Sequence, residues 1–279
     1  MLAWLAQLDF LSALLWSCVG FGGLTLLSLA MGFAIERLLQ PRGLAVFSIP
    51  LRPGQYRKEA LGNLLWHLLW CPVFAWVISR GWIRFGEGLG RELLTFFACL
   101  YGFQAYYWLL HRAMHHKRLM FTHRWHHESL VTTPLTGFSM HPLEGLGWCV
   151  GFLGPALLAS QEVEIGAIGY FAFLAFAWYG NIVGHANAEF MPKLAATHAY
   201  SRVVSNPISY HALHHARFKG HYGFATSWAD ALFGTQFPDW IAVARQVQSG
   251  RPLAKLNTKL GKLDTKLDAE AGSSRPPAA

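Results

Sequence analysis

Five long apolar segments dominate this chain: residues 11–34, 61–79, 93–110, 145–160 and 165–183. An α-helix needs about 20 mostly apolar residues to cross the hydrocarbon core of a bilayer. The composition agrees, because 53% hydrophobic residues, 14% charged residues and a mean hydropathy of +0.26 are unusual for a water-soluble domain. We predict an all-α integral membrane bundle of about four to five transmembrane helices. The fourth segment is the shortest, and we expect it to be tilted or partly re-entrant.

The charge pattern predicts an orientation in the membrane. Lys and Arg collect after the first, third and fifth segments, whereas the link between the fourth and fifth, residues 161–164, holds no basic residue. Cytoplasmic loops are enriched in basic residues, so we expect the amino terminus outside and the carboxyl terminus in the cytoplasm. Arg80, Arg84 and Arg91 disagree, since this orientation puts them outside. The same rule explains the net charge of +8. No basic stripe interleaved with aromatic residues indicates a nucleic-acid partner.

Three parts are expected along the chain: an amino-terminal transmembrane anchor region (1–92), a catalytic domain (93–240) and a tail (241–279). Leucines at alternating steps of three and four over residues 253–267 predict an amphipathic interfacial helix, although Gly261 weakens it. Residues 272–279 are expected to be disordered.

Histidines carry the chemistry. The chain holds 14, and two copies of H-x-x-H-H are present, at His123, His126 and His127 and at His211, His214 and His215. On a helix these positions share a face, so we expect each triplet to aim its three imidazoles at a common point. His111 and His115 form a further i, i+4 pair, and His185 ends the fifth segment.

The predicted topology places these histidines on one side of the membrane, in a cytoplasmic helical cap. Nine imidazoles exceed the four protein ligands that a tetrahedral zinc ion takes, whereas two ions with five or six positions each accommodate nine nitrogens and leave room for oxygen. Neither the Glu-x-x-His spacing of soluble di-iron bundles nor the zincin sequence H-E-x-x-H occurs. An all-imidazole pair of irons is the best remaining assignment.

Residues 107–235 resemble the fatty acid hydroxylase and sterol desaturase superfamily of membrane di-iron oxygenases. The matching motifs, in order, are H-x-x-x-H at His111, H-x-x-H-H at His123, H-P-x-E from His141 to Glu144, the lone His185 near Asn181, and H-x-x-H-H at His211. Members often continue with N-Y-G and W-D-x-L-x-G-T. This chain departs from both patterns, because His221 replaces the asparagine and Trp228 stands one residue further from Asp230.

The resemblance implies an oxidoreductase that uses O2 to hydroxylate or desaturate a C–H bond of a membrane lipid, such as a sterol or a fatty acyl chain. No flavin, nicotinamide or cytochrome motif is visible in the sequence. Electrons are therefore expected from a cytochrome b5-like or ferredoxin-like protein and its reductase. The active site is expected on the cytoplasmic side.

Five further residues are expected to support the site: His141, Glu144, Asn181, His221 and Asp230. His141 and Glu144 either support the ligands or fix the start of the fourth segment. Asn181 reaches a metal through water or is a structural hydrogen-bonding group. His221 is a substitute donor or an extra ligand.

Two other classes of protein stay open. A haem protein also places histidines in helices, but it needs axial pairs on facing spans and not adjacent triplets. A metal transporter needs polar residues along a path through the bilayer, whereas these segments are almost free of charge.

Overall fold

The computed structural model describes residues 7–260, and the apolar segments form its longest helices. The helices are α1 (Phe10–Leu39), α2 (Gln55–Ser79), α3 (Leu89–Met114), α4 (Met120–His127), α5 (Pro142–Glu162), α6 (Ala167–Val183), α7 (His198–Val203), α8 (Ile208–Arg217), α9 (Trp228–Leu232) and α10 (Trp240–Gln248). Short 3-10 turns cover Gln40–Arg42, Pro134–Phe138 and Lys193–Ala196. Two-residue strands, β1 (Phe85–Gly86) and β2 (Ile165–Gly166), pair in parallel. The prediction of an all-α membrane bundle is confirmed.

Four of the helices are long and apolar enough to cross a membrane: α1 with the turn that follows it, α2, α3 and α5. α6 has 17 residues, which at 1.5 Å per residue make about 25 Å. That is shorter than a hydrocarbon core of about 30 Å. The short member of the bundle is therefore α6, and not the fourth segment, which forms a helix of 21 residues.

Aromatic side chains join the long helices into one core. Trp66 and Trp70 of α2 lie against Trp178 of α6, and Phe21 of α1 contacts Trp70 and Trp178 with ring centroids 5.2 and 4.9 Å apart. Phe138 stacks on Trp66 at 5.2 Å. The predicted border at residue 92 stays a prediction, but α1 and α2 share this core with α3, α5 and α6.

A series of hydrogen bonds between polar groups crosses the same core. His67 Nδ1 donates to the carbonyl oxygen of Asn63 (2.8 Å), so its Nε2 is free to accept from the Thr25 hydroxyl (2.9 Å). The Thr25 oxygen in turn accepts from Trp178 Nε1 (2.7 Å). These bonds satisfy a histidine within a transmembrane segment and tie α1, α2 and α6 together.

The tail differs from the prediction in its described part. Residues 251–260 contain no helix. Leu253 instead bridges to Phe47 in parallel, and it is buried with Val243 and Val247 of α10 against α8. Contacts with this second, smaller core override the leucine periodicity. The rest of the predicted amphipathic helix and the expected disorder of 272–279 lie outside the described residues.

Alternation of helix direction brings one set of ends together. The carboxyl ends of α1, α3 and α6 meet the amino ends of α2 and α5, and α4 and α8 pack at this end of the bundle. Every element that carries a predicted ligand is therefore at one end.

Candidate metal centre

The structure divides the nine predicted ligand histidines into two groups. In each group, one ligand atom per residue lies within 4.8 Å of every other. The five-histidine group consists of His111, His115, His123, His127 and His214. The four-histidine group consists of His126, His185, His211 and His215.

Each H-x-x-H-H triplet is split between the groups. His123 and His127 belong to one group and His126 to the other, while His211 and His215 are separated from His214 in the same way. The expectation that a triplet aims at one point is therefore wrong. Successive helical residues are about 100° apart, so positions i and i+4 point in nearly the same direction, whereas i+3 and i+4 diverge by about 100°. Each triplet thus contributes to both groups.

The Nε2 atoms have the spacing of ligands around an ion. In the five-histidine group, those of His115, His127 and His214 are 3.0 to 3.1 Å apart. In the four-histidine group, the His211 atom lies 2.9 Å from that of His185 and 3.2 Å from that of His215. Metal–nitrogen bonds of about 2.1 Å separate ligand atoms by about 3.0 Å at right angles and about 3.4 Å at a tetrahedral angle. The Nε2–Nε2 distances of 2.9 to 3.2 Å are therefore close to the separation of ligands at right angles around one ion.

In four of the nine histidines, a backbone carbonyl group holds the opposite ring nitrogen, Nδ1. Nδ1 of His111 donates to Tyr222 (3.0 Å), that of His214 to Gly220 (2.6 Å) and that of His215 to Ser129 (2.9 Å). His185 Nδ1 donates to Asn181 one helical turn before it (2.5 Å). Each bond fixes the proton on Nδ1, which leaves the Nε2 lone pair for a metal.

Two buried nitrogens support the same assignment. Nε2 of His111 and Nε2 of His123 are enclosed and lack a hydrogen-bond partner among the described residues. Leaving a buried polar atom unpaired costs about 1 to 3 kcal/mol. A metal at the centre of the five-histidine group would satisfy both atoms.

Burial keeps the ligands neutral. It lowers the pKa of His123, His127, His211 and His214 well below the ordinary value of 6.5, and neighbouring histidines lower it further. His126 and His215 behave in the same way. Burial also lowers the pKa of His115 and that of His185 to about 4. Neutral imidazoles can bind a metal at pH 7 without first losing a proton.

Glu144 and Asn181 both contact the ligands. Glu144 Oε1 accepts from His123 Nδ1 (2.8 Å), and both side chains are buried. Such a carboxylate orients the ring and raises its basicity. The carbonyl of Asn181 positions His185, and its side-chain amide donates to the carbonyl of Gly137 (2.6 Å).

Asp230 supports the site indirectly, through a turn that contacts one of the clustered histidines. Its carboxylate accepts from the backbone N–H groups of Tyr222 and Gly223 and from the side chains of Trp108, Tyr210 and Thr235. It therefore holds the turn whose Tyr222 carbonyl accepts the hydrogen bond from His111 Nδ1.

His221 and His141 lie outside both groups. His221 donates from Nδ1 to the carbonyl of Tyr210 (2.8 Å), and its Nε2 accepts from the N–H of Phe237 (3.0 Å). With both nitrogens engaged it is not an extra ligand. His141 caps the start of α5, where its Nδ1 accepts from the N–H of Leu143 (3.2 Å). Of the two roles expected for His141, the structure places it in the one at the helix start.

Sequence reasoning missed the buried glutamates Glu59 and Glu189, which hold segments that carry or contact the clustered histidines. Glu59 accepts hydrogen bonds from the side chains of Gln55, Ser129, Thr133 and Thr136. It thereby fixes the segment whose Ser129 carbonyl holds His215. Glu189 accepts from the N–H groups of Ile208 and Ser209 at the start of α8. A polar ladder at positions 55, 59 and 63, just before an apolar run, was the available signal for Glu59. Nothing in the local pattern marks Glu189.

A mostly apolar cavity of about 380 Å³ adjoins the histidines. Its walls include one face of α6, the segment that leads into α8, and the side chains of Tyr107, Phe190 and Phe224. His185 and His211 border it. The arrangement therefore joins two potential transition-metal sites to a space suited to an apolar molecule.

Comparison with known proteins gives one family match. A family model described as "Fatty acid hydroxylase" matches residues 96–235, half of the chain, and this stretch contains the nine histidines of the two groups.

Similar proteins occur in plants. The very-long-chain aldehyde decarbonylase CER1 of Arabidopsis thaliana is 32% identical over 134 residues, which make up 47% of this chain and 21% of CER1. The very-long-chain aldehyde decarbonylases GL1-4 of Oryza sativa subsp. indica and GL1-7 of subsp. japonica are 31% and 32% identical, with the same coverage. The chain thus matches about a fifth of the length of these relatives. No solved structure gives a significant match.

Proposed function

Because this chain belongs to the fatty acid hydroxylase family, we propose that it is a membrane di-iron oxygenase that oxidises a lipid. The observation that carries the proposal is the convergence of nine histidines into groups of five and four, at ligand spacing, beside an apolar cavity. Imidazole suits iron, and five ligands at one centre exceed what tetrahedral zinc takes.

Bound iron would supply the binding and reduction of O2. The protein's own residues would hold the metals, orient the ligand rings and position the substrate. The five-histidine and four-histidine groups hold the metals, the carbonyl groups behind His111, His185, His214 and His215 orient the rings, and Glu144 orients His123. The apolar cavity walls hold a hydrocarbon chain near the centre and keep water out.

The reaction requires an external reductant. Hydroxylation consumes one O2, two electrons and two protons, and it yields one alcohol and one water. Desaturation consumes the same reactants and yields a double bond and two waters. A cytochrome b5-like or ferredoxin-like donor with its reductase would supply the electrons. In the predicted orientation, with the site at the cytoplasmic side, a water-soluble donor reaches it directly.

The substrate is proposed to be a sterol, a fatty acyl chain or a related lipid. The names of the plant relatives favour a second candidate, a very-long-chain aldehyde that loses its carbonyl carbon. A comparison of lipid extracts from host cells with and without the gene separates these cases. A gain of one oxygen indicates hydroxylation, a loss of two hydrogens indicates desaturation, and a hydrocarbon one carbon shorter than an aldehyde indicates decarbonylation.

Metal analysis tests the centre itself. Protein purified after expression with iron should carry about two irons per chain. His126→Ala should lose iron and turnover while it stays in the membrane. His116→Ala is the matched control, because His116 is exposed next to His115 but belongs to neither group. Full iron content and full turnover in His126→Ala would contradict the proposal.

A further inference from the structure

The cavity adjoins only one of the two histidine groups. His185 and His211 of the four-histidine group border it, whereas no member of the five-histidine group does. His185 follows the cavity-lining face of α6, and His211 lies one turn after Ile208, which also lines the cavity.

Aromatic side chains cover the five-histidine group. Tyr107 borders the cavity, and its ring lies 5.0 Å from the ring of His111, between that group and the open space. On other sides Tyr222 packs 5.2 Å from His115, and Phe218 packs 4.8 Å from His127. An apolar chain in the cavity therefore meets the four-histidine group first.

One glycine of α6 leaves room at this point. Gly180 lines the cavity one residue before Asn181, and a Cβ added to it would meet no atom within 4 Å. Glycine inside a helix costs about 1 kcal/mol relative to alanine. No close approach of a neighbouring element requires glycine at this position. The missing side chain instead enlarges the cavity.

The mouth of the cavity is apolar as well. Phe176, Phe190 and Val204 border the cavity and are 42%, 37% and 54% exposed. Phe176 belongs to the apolar helix α6. Exposed apolar side chains around an opening suit contact with lipid chains.

We propose that lipid reaches the centre at the four-histidine group only, and that Gly180 sets how much chain fits beside it. The inference rests on the proposed function for the presence of metal, but not for the identity of the lipid.

Photocrosslinking tests this access route. The full-length, iron-loaded protein in lipid nanodiscs is treated with hexadecanol that carries a diazirine at mid-chain, and the labelled peptides are mapped. We expect labels within residues 176–191 and 200–208. Labels confined to residues 217–223, which adjoin the five-histidine group, would overturn the proposal.

Two glycine variants test whether Gly180 sets how much of a lipid chain fits beside the four-histidine group. Gly180→Leu should lower the labelling of the cavity peptides by about tenfold, the loss expected when one or two methylene groups are shut out of an apolar site. Iron content should be unchanged. Gly102→Leu is the matched control, because Gly102 also lies within a helix with open space at its Cβ but does not line the cavity. Labelling of Gly180→Leu equal to that of the parent would overturn the role of Gly180.

A second pair of variants tests the access route if Gly180→Leu fails to fold. If Gly180→Leu does not accumulate, Val204→Trp at the mouth is compared with Val203→Trp, its exposed neighbour outside the cavity lining. Only Val204→Trp should lose labelling, and equal labelling of the two would contradict the route. A protein that binds no iron but gives the expected labels would refute the proposed function and leave the route supported.

Discussion

Five of the nine clustered histidines are oriented by a group behind the ring as well as by their position in the sequence. A carbonyl or carboxylate oxygen accepts a hydrogen bond from Nδ1 of His111, His123, His185, His214 and His215. These acceptors come from loops and helix ends that are distant in sequence from most of the rings. Spacing predicted the nine histidines, and the motifs around them predicted supporting roles for Glu144 and Asn181. Nothing in the sequence indicated the carbonyl groups of Ser129, Gly220 and Tyr222.

Glu144 offers a direct test of such a partner. Glu144→Ala should weaken iron binding by about 10 to 100-fold, because His123 loses the carboxylate that orients it. Competition with a chelator measures the affinity. Glu162→Ala, an exposed change at the far end of the same helix, should leave the affinity unchanged. Equal affinities in the two variants would mean that the carboxylate does not support the ligand.

The burial of His221 predicts that the stability of the protein depends on pH. Burial lowers its pKa to about 4, whereas an unfolded histidine titrates near 6.5. Between these values the unfolded chain binds more protons, so the free energy of unfolding should fall by about 3 kcal/mol as the pH drops from 6.5 to 4. His221→Asn should remove this contribution, and asparagine tolerates the backbone φ of 58°.

Unfolding in detergent micelles across this pH range checks the prediction. The two proteins should differ in the slope of stability against pH, and not only in its value. Parallel curves would show that His221 does not titrate as its burial implies.

At the scale of the elements, α8 is fixed at both ends. Glu189 accepts two N–H groups at its start. At its end, Arg217 donates to both carboxylate oxygens of Asp239 at 2.7 and 2.9 Å. Burial alone would raise the pKa of Asp239, but the hydrogen bonds from Arg217 and from the N–H of Leu260 lower it overall. Three of the nine clustered histidines, His211, His214 and His215, lie on this helix.

Loss of this ion pair should destabilise the protein. Arg217→Ala leaves the largely buried carboxylate of Asp239 without its partner, which typically costs about 3 kcal/mol. Chemical denaturation of the detergent-solubilised protein measures the loss. Lys219→Ala, two residues away at an exposed position, should change stability by less than about 0.5 kcal/mol. Similar losses in both variants would contradict a specific role for the pair.

The sequence predicted the long helices and the set of residues near the centre, because hydropathy and histidine spacing are local signals. The division into five and four could not be predicted by assigning one face to each triplet, since adjacent residues such as His126 and His127 serve different groups. The structure of residues 253–260 depends on Leu253 meeting Phe47, some 200 positions earlier in the chain. Local periodicity does not record such a contact.

At the scale of the whole molecule, the nine clustered histidines lie at one end of the bundle, and the charge pattern predicts that this end faces the cytoplasm. Lys117→Cys at the histidine end and Gln161→Cys at the opposite end should therefore differ in intact cells. A membrane-impermeant maleimide should label Gln161→Cys only, above the background of the parent protein. Labelling of Lys117→Cys alone would reverse the orientation.

The carboxylate of Glu59 lies in α2, outside the stretch that matches the family model, yet three hydroxyl groups from within that stretch donate to it. A fragment trimmed to the matched borders would lose their acceptor and, with it, the anchor of the loop behind His215. Grafting this histidine centre onto a different membrane scaffold would therefore require the second helix as well.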